Sequence, residues 1–117
     1  MSTLLLTADT DKAERELLGA CLVCREALPQ ALTVGLTEDD FFGPHHRQIF
    51  AAMLAQKADG EQPGLMSTWA RMQAIGIAHH LKAHGSDGYL SELATNAPVS
   101  GFADLARAVK LAAHDRQ

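Results

Sequence analysis

Six histidines, two cysteines and the adjacent pair Asp39–Asp40 are the residues of this 117-residue chain whose types could do chemistry. Much of it gathers in the stretch TEDDFFGPHHRQIF, Thr37 to Phe50. Asp39 and Asp40 are neighbours, so on a helical turn they point about a hundred degrees apart and do not form the facing carboxylates of acid–base catalysis. They suit the first turn of a helix, where the macrodipole favours negative charge. His45 and His46 are also neighbours, whereas a helix presents two metal ligands on one face at a spacing of three or four. His80 and His84 have that spacing and are the better metal candidates, yet no cysteine or acid between His79 and Gly85 completes a tetrahedral set. His114, near the chain end, reads as a solvated surface residue. Cys21 and Cys24 form a CxxC spacing inside an apolar helical run without a second cysteine pair, which reads as two buried, reduced thiols. The chain contains no GxxxxGK followed by Ser or Thr, and no serine or cysteine stands in a nucleophile signature. No catalytic residue, cofactor or metal is therefore assigned.

The elements that must position these residues are helices. The sequence is 47% hydrophobic and 21% charged, rich in Ala and Leu and poor in aromatic residues, which predicts one all-α domain. Acids from Asp9 to Asp11 predict the start of a first helix that runs to about Cys24. Its inward stripe is Ala13, Leu17, Ala20, Cys21 and Cys24, widened by Leu18 and Leu22. Residues 1–10 are expected to be a flexible arm and 11–117 the domain. Ala27 to Val34 is a second helix with Leu28, Ala31 and Leu32 inward, stopped by Gly35. Thr37 and Asp40 have capping-box spacing and predict one tight turn. Pro44 fits a first helical position, starting a helix that reaches about Lys57.

In the second half, Leu65 to Ile75 predicts a fourth helix with Leu65, Met66, Trp69, Met72 and Gln73 on one face. The stretch IAHHLKAHGSDG reads as a short helical turn within a loop. Asp87 caps a fifth helix carrying Tyr89, Leu90 and Leu93. After the turn cluster ATNAPVSG, a sixth helix places Phe102, Leu105, Ala106, Val109, Leu111 and Ala112 inward. In this frame TEDDFFGPHHRQIF is a helix junction: Phe41, Phe42, Ile49 and Phe50 fill the core, and one histidine hydrogen-bonds across the joint.

The formal charge of −4 and a pI near 5.8 give no broad basic footprint for a phosphate backbone, so direct nucleic-acid binding is not expected. The start MSTLLLTADTD lacks a basic region and a long apolar run, which predicts neither a signal peptide nor a membrane span and points to a cytoplasmic protein.

Three ordered blocks, AERELLGACLV, EDDFFGPHHRQIFAAML and YLSELATNAPVSGFADLARAV, give the chain a family likeness. It resembles the N-terminal domain of DnaB-type replicative DNA helicases, in which A-E-x-x-V/L-L-G, D-F-F/Y-x-x-x-H-x-x-I-F/Y and Y-L-x-x-L-x-x-x-x-P segments recur in this order. The matching positions here are Ala13, Glu14, Leu18 and Gly19; Asp40, Phe41, Phe42, His46, Ile49 and Phe50; and Tyr89, Leu90, Leu93 and Pro98. The likeness covers about Asp11 to Leu111. It departs at Pro63 and Gly64, where the family carries a polar cap and an isoleucine, and in AHHLKAHGSDG, which is a few residues longer than usual.

The resemblance implies a six-helix head that docks primase or a helicase loader and assembles with other helicase subunits, itself without ATPase activity. A weak homodimer is the self-association expected of the chain. An alternative is a free-standing relative, from a mobile element, that imitates the head and captures helicase, loader or primase. A histidine-dependent metal enzyme is the third reading. Helices that bury one stripe each leave Arg47, Gln48 and Lys57 on the third helix, and Arg107 and Lys110 on the last, as the expected solvated partner surface.

Overall fold

The computed structural model describes residues 3–85 and 87–115. Among the described residues the chain forms six α-helices and no strand: α1 Thr3–Val23, α2 Ala27–Val34, α3 Pro44–Ala58, α4 Leu65–Ala74, α5 Asp87–Thr95 and α6 Phe102–Asp115. Two 3-10 segments, Glu38–Asp40 and Ala78–His84, join them. This is the all-α bundle that the composition predicts.

The centre is α1, whose Leu17, Leu18, Ala20 and Cys21 have no exposed surface and pack against α5 and α6. Burial pushes the Cys21 thiol up to about 12, with Cys24 beside it adding to the rise, so Cys21 is a core side chain and not a nucleophile. The helix starts earlier than its acids suggest. The backbone is helical from Thr3, as Leu, Thr and Ala up to Asp9 contain no breaker. Asp11 therefore sits inside the helix, where it pairs with Arg15 one turn on at 2.9 Å.

α2 ends as predicted on Gly35, whose φ of 94° lets its own N–H return to Leu32 and the Leu36 N–H to Ala31. In the following turn the Asp40 carboxylate reaches back to the Thr37 N–H at 2.8 Å, the reciprocal half of a capping box. Pro44 opens α3, and Ile49, Phe50 and Met53 go into the core with Phe41, whose ring lies 4.9 Å from that of Phe50.

Four expected inward residues face out. Phe42 is 48% exposed because Phe41 is extended, so consecutive side chains point to opposite sides and only the first enters the core. Met66 is 82% exposed, and Gln73 is also exposed, because a buried polar pair rotates α4. Thr68 donates to the fully buried Gln56 at 2.8 Å, which turns Thr68 and Met72 inward and Met66 out. On α6 the inward set is Phe102, Ala106, Val109 and Ala113, leaving Leu111 62% exposed. Lys110, expected to be free, donates to the Gly35 carbonyl at 3.1 Å and to Asp40 at 3.3 Å, tying α6 to the end of α2 and the first 3-10 segment.

IAHHLKAHGSDG is more ordered than a loop with a single turn. Its 3-10 segment inserts Leu81, fully buried, into the core, and complete burial of a leucine contributes about 1.5–3 kcal/mol. The side chain of Asp87, the expected cap of α5, lies outside the described residues.

Candidate functional site

Glu14 lies on the apolar face of α1, three and four residues before Leu17 and Leu18, and has no exposed surface. A carboxylate there needs donors, since a buried charge without partners costs several kcal/mol, about 3–5 when a single partner is removed. The junction before α3 supplies them. The first N–H groups of a helix have no intrahelical acceptor, and Pro44 at the first helical position leaves the preceding amides to be satisfied from elsewhere. Glu14 accepts the Phe42 N–H at 2.6 Å and the Gly43 N–H at 3.3 Å, and His46 Nδ1 lies 2.8 Å from its Oε1. An acid on α1 thereby caps α3 from a distance, and the positive end of the helix dipole favours its charge.

From His46 the bonding continues outward. His46 Nε2 is 2.6 Å from the Tyr89 hydroxyl on α5, and that hydroxyl is 3.3 Å from His45 Nε2. His45 in turn stacks on His84, at the end of the second 3-10 segment, with centroids 3.8 Å apart and planes 12° apart. A carboxylate can only accept, so with one ring proton His46 donates Nδ1–H to Glu14 and its Nε2 accepts from Tyr89. Tyr89 has a single proton, which goes to His46, so His45 Nε2–H is the donor to the tyrosine oxygen.

Burial is the main cause that raises the Tyr89 hydroxyl above its ordinary range, with the Asp11 charge next, and keeps it a donor. His45 is pulled down to about 4, chiefly by burial and then by His46 and His84, against the opposing pull of Asp11 and Glu14. The result is one directed line, His45 to Tyr89 to His46 to Glu14, through α5, α3 and α1. Its chemistry is structural: both carboxylate oxygens of Glu14 are committed to backbone amides as well as to His46, and the inner two members are fully buried. A cavity of about 360 Å³ lies elsewhere, lined by Val34, Asp40, Arg107, Lys110, Leu111 and His114.

The structure gathers most of the residues singled out in the sequence. Glu14, Leu18, Gly19, Asp40, Phe41, His46, Ile49, Phe50, Tyr89, Leu90 and Leu93 are buried, Pro98 is half-buried, and Phe42 contributes its backbone. The histidine expected to bond across the junction is His46. The functions of Glu14 as a remote cap and of His45 and His84 as a stack were not apparent in the sequence. The available signal was an acid placed on an otherwise apolar helical stripe. Of the polar positions, Arg47 is exposed but donates its Nε–H to the Phe41 carbonyl at 2.7 Å, and Arg107 pairs with Asp104 at 2.9 Å. Arg107 and Lys110 share the 360 Å³ cavity, while Lys57 borders a different one with Leu28 and Pro29. Gln48 is half-buried on α3. Among the described residues no three His, Cys, Asp or Glu side chains stand where they could hold a metal ion, and the His80 side chain lies outside that set. No helix among them is long and apolar enough to cross a membrane.

The chain as a whole is similar to known proteins. The family model for the DnaB-like helicase N terminal domain matches residues 8–111. The Replicative DNA helicase DnaB of Geobacillus stearothermophilus is 35% identical over 89 residues, which are 76% of this chain and 19% of that protein's length. The crystal structure of the N-terminal domain of DnaB helicase from Mycobacterium tuberculosis superposes with a TM-score of 0.80 at 27% identity, covering 89% of this chain and 72% of that one. Fold and family match agree, and the chain belongs to the family of DnaB-like helicase N-terminal domains.

Proposed function

We propose that this domain is a noncatalytic protein-interaction module of a replicative DNA helicase, docking a primase or helicase loader and contributing to assembly with other helicase subunits. Family membership across residues 8–111 is the observation that carries this reading. The chain spans 19% of the length of the curated helicase it resembles, so unwinding and ATP hydrolysis are properties proposed for a parent protein and not for this segment. In keeping with the missing phosphate loop, the purified chain is expected to show no ATP turnover above a blank.

The docking surface we favour is the rim formed by Arg107 with the exposed Leu111 and His114, where an apolar anchor sits beside positive charge. Arg107 is the clean probe of it, because its partner Asp104 is exposed and surface pairs of this kind contribute little to stability. Titration of the chain with purified primase, loader and helicase, followed by calorimetry, is expected to give a complex with at least one of them that weakens as salt rises. Arg107→Glu is expected to slow its formation several-fold without altering the circular dichroism spectrum. Failure to bind any of the three at micromolar concentration overturns the docking function. Binding indifferent to Arg107→Glu moves the surface to the Lys57 and Gln48 side.

A further inference from the structure

We propose that the stacked pair His45 and His84 is an acid-sensitive latch, which holds the 3-10 segment Ala78–His84 on α3 and α5 and releases it, ahead of the rest of the core, as protons are taken up. The segment is built as a separable piece. It is bounded by Gly76 and Gly85, both in the left-handed region with φ of 78° and 99°, where glycine turns freely and other residues do not. It enters the core through Leu81, and its outer end lies on the ring of His45.

The surroundings of His45 decide the direction of the response. From α1 it faces the acids Asp11 and Glu14, from its own helix His46, from the segment His84, and from α5 Tyr89, beside which lie Arg15 and Glu92. The two acids favour a proton on His45. Burial and the two neighbouring imidazoles oppose it more strongly and hold its titration near 4, against an ordinary 6.5. The His84 ring lies 3.8 Å from that of His45 and is one of the groups that oppose a proton there. Lifting the segment removes both the cover and the neighbouring imidazole. The open form therefore binds more protons than the closed form between about 4 and 6.5, so closure is favoured above 6.5 and is progressively lost as pH falls through that window. Ring stacking and Leu81 hold the latch at pH 7. The buried line from Tyr89 through His46 to Glu14 ties α5, α3 and α1 independently of the segment, so opening leaves the centre of the fold in place.

Amide hydrogen exchange on the whole chain, corrected for the intrinsic pH dependence of exchange, tests this between pH 7 and 4.5. Protection of residues 78–84 is expected to fall by up to about tenfold per pH unit below 6, the slope of one linked proton, while amides around Leu17 and Leu18 keep theirs. His45→Phe retains a ring to stack on and removes the titration, and its profile over the segment is expected to be flat. An NMR titration of the His45 ring in the unaltered chain, independent of any variant, is expected to give a midpoint well below 6.5. A flat wild-type profile, loss of protection in α1 in step with the segment, a His45→Phe profile as steep as the parent's, or a His45 midpoint near 6.5 each overturns the latch.

Discussion

Gly19→Ala is expected to destabilise the domain by at least about 3 kcal/mol, the upper end of overpacking penalties, and to leave little folded protein if the parent is marginal. In an exposed helix interior the same change stabilises by about 1 kcal/mol, because alanine is the better helix former. Here the sign reverses. Gly19 is buried on α1, and a Cβ added to it would collide with the backbone carbonyl oxygen of Leu93, lie 2.9 Å from that carbonyl carbon and come within 3.3 Å of the Ala97 side chain. The obstacle is main chain, so no rotamer change can relieve it. α5 would have to move off α1, carrying Tyr89 and Leu90 with it and opening the packing between the two helices. Denaturant titration of the variant is the measurement. A midpoint equal to or above that of the parent would show that α5 gives way cheaply.

Gly19 also marks how far a sequence can be read. A glycine in mid-helix beside Leu18 is visible as an anomaly, and the family likeness places it in a motif, but nothing in one-dimensional spacing says which element presses on it. Apolar periodicity located α2 and α3 to within a residue or two and the inward stripe of α1 as well, because most of the buried side chains of those helices are apolar. It placed Phe102, Leu105, Ala106 and Val109 of α6 inward correctly and missed Leu111, and on α4 it missed Met66 and Gln73, where a polar bond from outside the helix sets the rotation. The Gln56–Thr68 pair turns Met66 outward, and Lys110 reaching Asp40 accompanies the exposure of Leu111. Phe42 was misplaced for a local reason, the extended backbone before it. His45 and His84 are 39 positions apart and meet only because α3 and the second 3-10 segment pack side by side, a contact invisible to spacing rules.

Glu14→Ala is expected to cost about 3–5 kcal/mol, the range for breaking a buried ionic pair by removing one member, since it strands two backbone N–H groups and the His46 ring at once. Glu14→Gln separates the loss of charge from the loss of a partner. An amide has one acceptor oxygen, and if it stays on the Phe42 N–H, its NH2 group faces His46 Nδ1. That contact is satisfied only if His46 changes tautomer, so that Nδ1 accepts and Nε2–H donates to the Tyr89 oxygen. Tyr89 then turns its proton toward His45, which must accept at Nε2. Every bond in the line reverses. The amide also meets the Gly43 N–H with a donor, and one such stranded group costs about 1–3 kcal/mol, so Glu14→Gln is expected to fall between the parent and Glu14→Ala. Nitrogen NMR at neutral pH reads the tautomer directly: the parent should carry its His46 proton on Nδ1 and the Gln variant on Nε2. An unchanged His46 tautomer in Glu14→Gln, together with stability equal to the parent, would mean that the junction is held by packing of Phe41 and Phe50 and that the directed line from α5 to α1 contributes nothing to it.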